Sequence, residues 1–236
     1  MTGQLVDDGL SKSFGGNQAV SGVSTTINRG EVVGLVGPNG AGKSTYINLL
    51  TGQYIPDAGR VFVEGVDVTR LPASHRNRFK VVRSYQDAGM FLRLSAVENV
   101  IVAAVARGMP MKTARARSRE ILGELGLSAV ADHRAERLSG GQRKLVDVAR
   151  CLISDAVFIL LDEPTAGVNM AIAERLRGFI ADRRAAGAGV LVVSHDLRWA
   201  FPLCSRVVVF AQGGLIAEGT PDEVMQNPAV IEAYLT

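Results

Sequence analysis

The feature that most limits how this chain can fold is the glycine-rich run GPNGAGKS, from Gly37 to Ser44. It fits the pattern G-x-x-x-x-G-K-[ST] and lies between a short β-branched run, EVVGLVG, and a helical pattern, KSTYINLLTG. Glycines let such a loop wrap closely, so that consecutive backbone N–H groups can point at phosphate oxygens beside a helix N-terminus. The sequence therefore predicts a strand, a phosphate-binding loop and a helix. The alternative is a glycine turn that only joins the two elements.

Two side chains at the end of this loop have the chemistry that a nucleoside triphosphate requires. The Lys43 ammonium would neutralise the β- and γ-phosphates, and the Ser44 hydroxyl would ligate Mg²⁺. We therefore expect a triphosphate and Mg²⁺ at this loop.

The remaining strand and helix patterns indicate an α/β protein with a helical insertion. Strand patterns occur at RVFVEG (60–65), VFILLD (157–162), GVLVVS (189–194) and RVVVFAQ (206–212), whereas the stretch from about Ser95 to Arg150 is almost wholly helical. The apolar share of 47% supports a well-buried core. Buried strands that alternate with helices predict a mainly parallel sheet that is covered on both faces. We expect a mainly parallel core sheet, a small antiparallel β subdomain and an inserted helical subdomain in one domain, 1–236. The core lobe would be about 1–88 and 155–236, and the helical subdomain about 89–154.

A pair of carboxylates ends one of the buried strand patterns, in FILLDEP. Asp162 and Glu163 would lie at the carboxyl edge of the sheet, where ligands bind in open α/β folds. Asp162 would hold Mg²⁺ through water. Glu163, which would point elsewhere because side chains alternate along an extended strand, could polarise a water for attack on the γ-phosphate. The alternative is an exposed acidic strand end before a turn that contains proline.

The run LSGGQRK, from Leu138 to Lys144, puts a serine and two glycines at the start of an amphipathic helix. Helix capping would account for Ser139 but, on the sequence, not for both glycines and Gln142. The positive end of this helix offers a hydroxyl and backbone amides, which are suitable ligands for phosphate.

Five motifs in this order resemble those of the nucleotide-binding subunits of ABC transporters: GPNGAGKST, RSYQ with Gln86, LSGGQ, ILLDEP and VSHD with His195. The resemblance covers nearly the whole chain, and LSGGQ is its most specific part. It implies a P-loop NTPase fold of the RecA-like type and ATP hydrolysis with Mg²⁺. It also implies a second ATPase subunit, identical or different, so that two subunits enclose two nucleotides. Separate transmembrane permease subunits are implied as further partners.

The resemblance also assigns roles residue by residue. It implies ATP contacts for Phe14, which would stack on adenine, and for Val20, Gly37, Pro38, Asn39, Gly40, Ala41, Gly42, Lys43, Ser44, Thr45 and Asp162. The ATP of the partner subunit would meet Leu138, Ser139, Gly140, Gly141 and Gln142, and the D-loop would be Ala166, Gly167, Val168 and Asn169. Catalysis would use Glu163, His195 and Gln86, and Mg²⁺ would meet Ser44, Gln86 and, through water, Asp162. Phe14 and Asn169 depart from the family's commoner tyrosine and aspartate.

Longer segments narrow the resemblance. RSYQDAGMFLRLSAVENV, SGGQRKLVDVAR, DEPTAGVN and EGTPDEVMQNPAVIEAYL are similar to the ATPases of branched-chain amino acid importers and their urea or amide relatives. A lipopolysaccharide export ATPase shares several of these features and is the alternative. An importer would also work with a solute-binding protein. The segment from about Asp87 to Glu98 is expected to receive the coupling helix of the membrane subunit, and Pro228 is expected to start the last helix.

Charge and composition bear on the cell compartment and on other functions. The formal charge is +3, the basic residues are scattered, and Cys151 and Cys204 lack metal or redox spacing, so both are expected to be reduced packing residues. Neither a membrane-spanning run nor a secretory signal is evident, and we expect a cytoplasmic protein held at the inner face of the plasma membrane by its permease. We expect no nucleic-acid partner. A non-transport ABC ATPase acting on nucleic acid or ribosomes, and a regulatory module that binds ATP without turnover, are the remaining alternatives.

Overall fold

The strands form two sheets in the computed structural model, which describes residues 3–84, 89–153 and 155–235. A four-stranded antiparallel sheet has the order β2-β1-β4-β5, formed by β1 (Gln4–Phe14), β2 (Asn17–Asn28), β4 (Ala58–Val63) and β5 (Val66–Asp67). A six-stranded sheet has the order β10-β9-β3-β8-β7-β6, formed by β3 (Val32–Val36), β6 (Val81–Arg83), β7 (Phe158–Asp162), β8 (Gly189–Val193), β9 (Arg206–Ala211) and β10 (Gly214–Gly219). All pairs in the second sheet are parallel except β9 with β10.

Helices surround the larger sheet. They are α1 (Lys43–Leu50), α2 (Ala73–Arg76), α3 (Ala96–Val105), α4 (Met111–Glu124), α5 (Gly140–Leu152), α6 (Met170–Ala185), α7 (Leu197–Ala200), α8 (Pro221–Gln226) and α9 (Pro228–Leu235). The three helices α3, α4 and α5 lie between β6 and β7 in the chain and form the helical insertion. The predicted fold class is confirmed, as is the start of the last helix at Pro228. The bounds 89–154 of the helical subdomain stay a prediction.

The central strands explain why the larger sheet needs cover on both faces. Every residue of β3, β7 and β8 is buried. Leu160 and Leu161 on β7 belong to different hydrophobic clusters, because successive side chains of a strand point to opposite faces. One cluster joins the sheet to the inserted helices, and the other joins it to α1 and the antiparallel sheet. The glycine loop, Asp162 at the end of β7 and Glu163 directly after it are thus carried on a rigid framework.

The strands β1 and β2 were not predicted from the sequence, because their pairing is irregular. β1 and β2 pair with register shifts between Asp7 and Leu10, and Gly9 and Gly22 have φ of 61° and 60°. These irregularities break the strict alternation by which a strand is recognised. Within the described ranges, none of the helices combines the length and the apolar character that a bilayer crossing demands.

Candidate active site

The glycine loop lies between β3 and α1 and is enclosed by other strands. Gly42 has φ of 96°, and a Cβ atom there would lie 2.2 Å from the carbonyl oxygen of Ala19 on β2. Any side chain at this position would therefore collide with the antiparallel sheet. Glycine is required here by the close approach of the protein backbone itself, in addition to any approach by a ligand.

Lys43 lies against the carbonyl groups of its own loop. Its Nζ atom donates to the carbonyl oxygens of Gly37 at 2.6 Å and Pro38 at 2.8 Å. Burial lowers the pKa of Lys43, while the charges of Glu163 and Asp162 raise it. The Lys43 ammonium group is therefore within electrostatic range of both carboxylates at the edge of the sheet.

Asp162 is buried and paired. Its Oδ2 atom accepts a hydrogen bond from Arg83 Nη2 at 3.0 Å, and the exposed fractions of the two side chains are 6% for Arg83 and 3% for Asp162. Arg83 also donates to Asn48 on α1, so it joins the acid to the helix that follows the glycine loop. Two adjacent carboxylates were expected at this edge, but their counter-charge was not identified. That counter-charge is Arg83, and the sequence signal for it was its position as the first residue of the RSYQ motif.

Glu163 and His195 form a pair at the same edge. His195 Nδ1 lies 2.7 Å from Glu163 Oε2, and the backbone N–H of His195 donates to the same oxygen at 3.4 Å. Glu163 has φ of 48°, so the extended strand ends at Asp162 and the expected alternation does not set the direction of the Glu163 side chain. A left-handed conformation costs a non-glycine residue about 1 kcal/mol, and such residues concentrate at functional sites.

Ser139 and Gln142 form a reciprocal capping box at the start of α5. The Ser139 hydroxyl accepts from the Gln142 N–H at 3.2 Å, and Gln142 Oε1 accepts from the Ser139 N–H at 2.9 Å. The prediction that capping would not account for Gln142 is therefore wrong, because the amide side chain completes the cap. A serine followed three residues later by glutamine was the sequence signal for this structure.

The two glycines after Ser139 have different surroundings. A Cβ atom on Gly141 would lie 2.3 Å from the carbonyl oxygen of Gly167, so glycine is needed for the close approach of the D-loop. At Gly140 an added Cβ would meet no atom of the described chain within 4 Å. Asn169, at the end of the D-loop, accepts from the Ile172 N–H at 3.0 Å and caps α6. The tip of α5 and the D-loop therefore pack together within one subunit.

Phe14 is exposed beside a second aromatic ring that sequence reasoning did not identify. Its ring centroid lies 5.2 Å from that of Tyr54 in an edge-to-face arrangement, and Lys12 Nζ lies 5.6 Å from the Phe14 centroid. The exposed fraction of Phe14 is 45%, which leaves ring surface for a base. Val20, by contrast, is fully buried in the core, so the structure does not present its side chain to a nucleotide as predicted.

Other predicted site residues are less informative. Ala41 and Leu138 have buried side chains, while Ser44 is exposed at the start of α1. Gln86 lies outside the described residues. The expected coupling segment is described only from residue 89 onward, where Phe91 and Leu92 expose about half of their surface, 51% and 49%.

The chain is similar to known ATP-binding proteins over nearly its whole length. The profile described as ABC transporter matches residues 20–166, and the profile described as branched-chain amino acid ATP-binding cassette transporter matches residues 215–235. The lipopolysaccharide export system ATP-binding protein LptB of Escherichia coli (strain K12) is 37% identical over 232 residues, which cover 98% of this chain and 96% of that protein. The high-affinity branched-chain amino acid transport ATP-binding protein BraF of Pseudomonas aeruginosa is 35% identical over 243 residues, which cover 96% and 95% of the two chains.

A solved structure gives the same comparison in three dimensions. The dimeric post-hydrolysis state of the ATP-binding cassette MJ0796, bound to ADP and Pi, superposes with a TM-score of 0.84 at 26% sequence identity. The match covers 92% of this chain and 98% of that one.

Proposed function

The chain belongs to the ABC transporter family of ATP-binding proteins, and on that premise we propose that it powers the import of branched-chain amino acids or related small polar solutes. It is an ATP-binding transporter subunit and an ATP hydrolase. The observation that carries the proposed catalytic site is the 2.7 Å pair of Glu163 and His195, at the sheet edge whose carboxylates act on Lys43. The match of residues 215–235 to a branched-chain amino acid transporter profile supports the choice of cargo.

Nucleotide binding is assigned to the glycine loop. Backbone amides at the start of α1 and the Lys43 ammonium would hold the phosphates, and the exposed ring of Phe14 would stack on adenine, with Tyr54 against it. In this arrangement Glu163 would take a proton from the attacking water, and His195 would hold that carboxylate in position.

The donor set fits Mg²⁺ that arrives with the nucleotide. Within the described residues there is no cluster of three or more His, Cys, Asp or Glu side chains able to hold a metal. Mg²⁺ typically uses one or two protein ligands together with phosphate oxygens and water. Ser44 and Asp162, the latter through water, would supply the protein ligands, and Gln86 would join them from the segment outside the description. The ion would neutralise charge on the β- and γ-phosphates.

A second ATPase subunit is the first proposed partner. The MJ0796 cassette is dimeric in its ADP- and Pi-bound state. In this chain the tip of α5 is exposed at Ser139 and Gly140, as a helix that contacts another subunit's nucleotide must be. We place the signature residues Leu138 to Gln142 against the partner's γ-phosphate, with the D-loop beside them. Co-purification with the membrane subunits would also show whether the second ATPase subunit is identical to this chain or different.

Permease subunits are the second proposed partner, and a groove supports their docking. A cavity of about 800 Å³ lies between the core and the inserted helices, lined by Arg78, Lys80 and Arg107 together with apolar residues such as Met109 and Val82. The exposed side chains of Phe91 and Leu92 lie on the predicted coupling segment. Such a partner would hold the chain at the inner face of the plasma membrane, and an importer would add a solute-binding protein.

The catalytic assignment is tested by Glu163→Gln in the full chain. Removing a general base typically lowers kcat by about 10²- to 10⁴-fold, while a neutral amide leaves nucleotide binding intact. The variant should bind ATP, fail to hydrolyse it and accumulate as a dimer in size-exclusion chromatography with light scattering. Glu174→Gln removes an exposed carboxylate from α6 and serves as the matched control. Wild-type turnover in Glu163→Gln would show that another group is the base.

Export of lipopolysaccharide is the second candidate, because LptB is as similar to this chain as BraF. The ATPase of such a system does not contact the cargo, so the two functions are separated by the membrane partners. Co-purification from membranes, followed by transport assays in vesicles with leucine or lipopolysaccharide, decides between them. Tight and salt-sensitive binding to nucleic acid would instead support a non-transport ATPase.

A further inference from the structure

Lys144 is a buried cation that the proposed mechanism does not use. It lies on α5, five residues after Ser139, and only 7% of its surface is exposed. Its Nζ atom donates a buried hydrogen bond to the backbone carbonyl oxygen of Asp162 at 2.5 Å. Burying an ammonium group is costly unless it is paired or hydrogen-bonded, and this hydrogen bond offsets part of that cost.

The carbonyl that Lys144 binds belongs to the peptide group leading into Glu163. The other end of that group, the Glu163 N–H, donates to the carbonyl oxygen of Val193 on β8 at 3.0 Å. Both polar atoms of the peptide are therefore held. Glu163 leaves the strand with φ of 48°. The orientation of this peptide group therefore sets the position of the Glu163 carboxylate relative to His195.

Charge balance is the competing explanation for Lys144. Burial lowers its pKa, and the carboxylates of Asp147, Asp162 and Glu163 raise it. Asp147, however, already pairs with Arg150 at 3.2 Å, and Asp162 with Arg83 at 3.0 Å. The hydrogen bond from Lys144 to Asp162 is made to the backbone carbonyl oxygen, which has no net charge to balance, and not to the carboxylate.

We propose that Lys144 is a positioning residue that fixes the peptide between Asp162 and Glu163. It thereby connects the helix whose tip meets the partner's nucleotide to the base that acts on this subunit's own nucleotide. The inference rests on the proposed roles of Ser139 and Glu163. Engagement of one ATP would then be transmitted to hydrolysis of the other through the length of α5 between Ser139 and Lys144.

The first test is Lys144→Met in the full chain, which keeps the aliphatic stem and removes the donor. A misplaced catalytic group can cost about 100-fold, so kcat should fall by about that factor. The affinity for a fluorescent ATP analogue should stay within about twofold, because the glycine loop is untouched. Lys144→Arg, which keeps a donor, should recover most of the activity. Arg177→Met, which removes a cation that donates to the Trp199 carbonyl at 3.2 Å on another helix, should leave kcat unchanged.

A double-mutant cycle with Glu163→Gln separates positioning from general stability. If Lys144 acts through the carboxylate of Glu163, adding Lys144→Met to Glu163→Gln should leave the residual hydrolysis rate unchanged. A further loss of about 100-fold in the double variant would overturn the inference, as would a loss of kcat that only follows the folded fraction seen by circular dichroism. If Lys144→Met does not fold, Lys144→Gln enters the same cycle and is judged in the same way.

The outcomes also separate this inference from the proposed function. Wild-type turnover in Glu163→Gln alone would remove the assigned base and the inference with it. Loss of turnover in Glu163→Gln, combined with independent effects of the two substitutions, would remove only the role of Lys144.

Discussion

The helices α1 and α5 begin at the two glycine-rich motifs, yet their N-termini are built in opposite ways. α1 starts after Gly42, and within the described residues no side chain caps it. α5 starts after Ser139, whose capping box with Gln142 satisfies two backbone N–H groups. Since the first N–H groups of a helix have no intrahelical acceptors, the amides of α1 remain for a ligand. At the start of α5, only the backbone N–H groups that the capping box does not satisfy are available to a ligand.

This difference suggests a division of labour between the two tips. The capping box uses a lone pair of the Ser139 hydroxyl, and its O–H remains a donor. α1 would therefore supply most of the affinity for phosphate, whereas α5 would add a preformed contact that forms only when two subunits close. α1 is fixed from its buried side instead, where the Tyr46 hydroxyl donates to Asp7 Oδ1 at 2.7 Å.

The largest effect is expected at the uncapped tip. Lys43→Ala should weaken ATP binding by at least about 100-fold, because charge-assisted contacts to phosphate contribute about 1.5–3 kcal/mol each. Isothermal titration calorimetry measures the change. Lys112→Ala, an exposed lysine on α4, is the control and should bind ATP normally. Unchanged affinity in Lys43→Ala would show that the phosphate site is not at α1.

The anchor of α1 should make stability depend on pH. Burial raises the pKa of Asp7 to about 7, against hydrogen bonds from Tyr46 and Thr25 that lower it. A carboxyl whose folded pKa is raised stabilises the fold at low pH, and this contribution is lost as pH rises from about 4 through about 7. Asp7→Asn stays neutral at every pH. Its free energy of unfolding should therefore rise relative to that of wild type by on the order of 2 kcal/mol between pH 5 and pH 8.

Urea unfolding at several pH values measures this difference. Asp57→Asn is the control, because hydrogen bonding from Lys12 lowers the pKa of the Asp57 carboxyl. The stability that this lowered pKa contributes is lost only as pH falls below about 4, so the difference in unfolding free energy between Asp57→Asn and wild type should stay constant from pH 5 to pH 8. A constant difference between Asp7→Asn and wild type from pH 5 to pH 8 would contradict the prediction.

A smaller effect is expected at the capped tip. Ser139→Asp keeps an acceptor for the Gln142 N–H, so the thermal midpoint should remain close to that of wild type. Its carboxylate would repel the partner's γ-phosphate, and ATP-driven dimerisation in a Glu163→Gln background should weaken by about tenfold. Analytical ultracentrifugation measures the dimer. Ser139→Asn, which caps without charge, separates repulsion from loss of the hydroxyl, and equal dimerisation of all three proteins would place the tip away from the nucleotide.

The elements that could be predicted are those specified by neighbouring residues. The strand, loop and helix around Gly37 to Ser44, the buried strands β7, β8 and β9, and the helical insertion all follow from local pattern. The conformation of Glu163 could not be predicted, because the alternation that applies within a strand stops where the strand ends. Gln142 shows a different failure, since a local capping signal was present but was attributed wholly to ligand binding.

The sequence by itself determined which chemical groups are present and in what order, since phosphate loops and helix caps are formed by residues a few positions apart. Only the tertiary structure decided how those groups are held. The Arg83–Asp162 pair spans 79 positions, and the Lys144 contact to the Asp162 carbonyl spans 18. Such contacts depend on how the inserted helices and the sheet pack, and packing brings together residues that no local pattern relates.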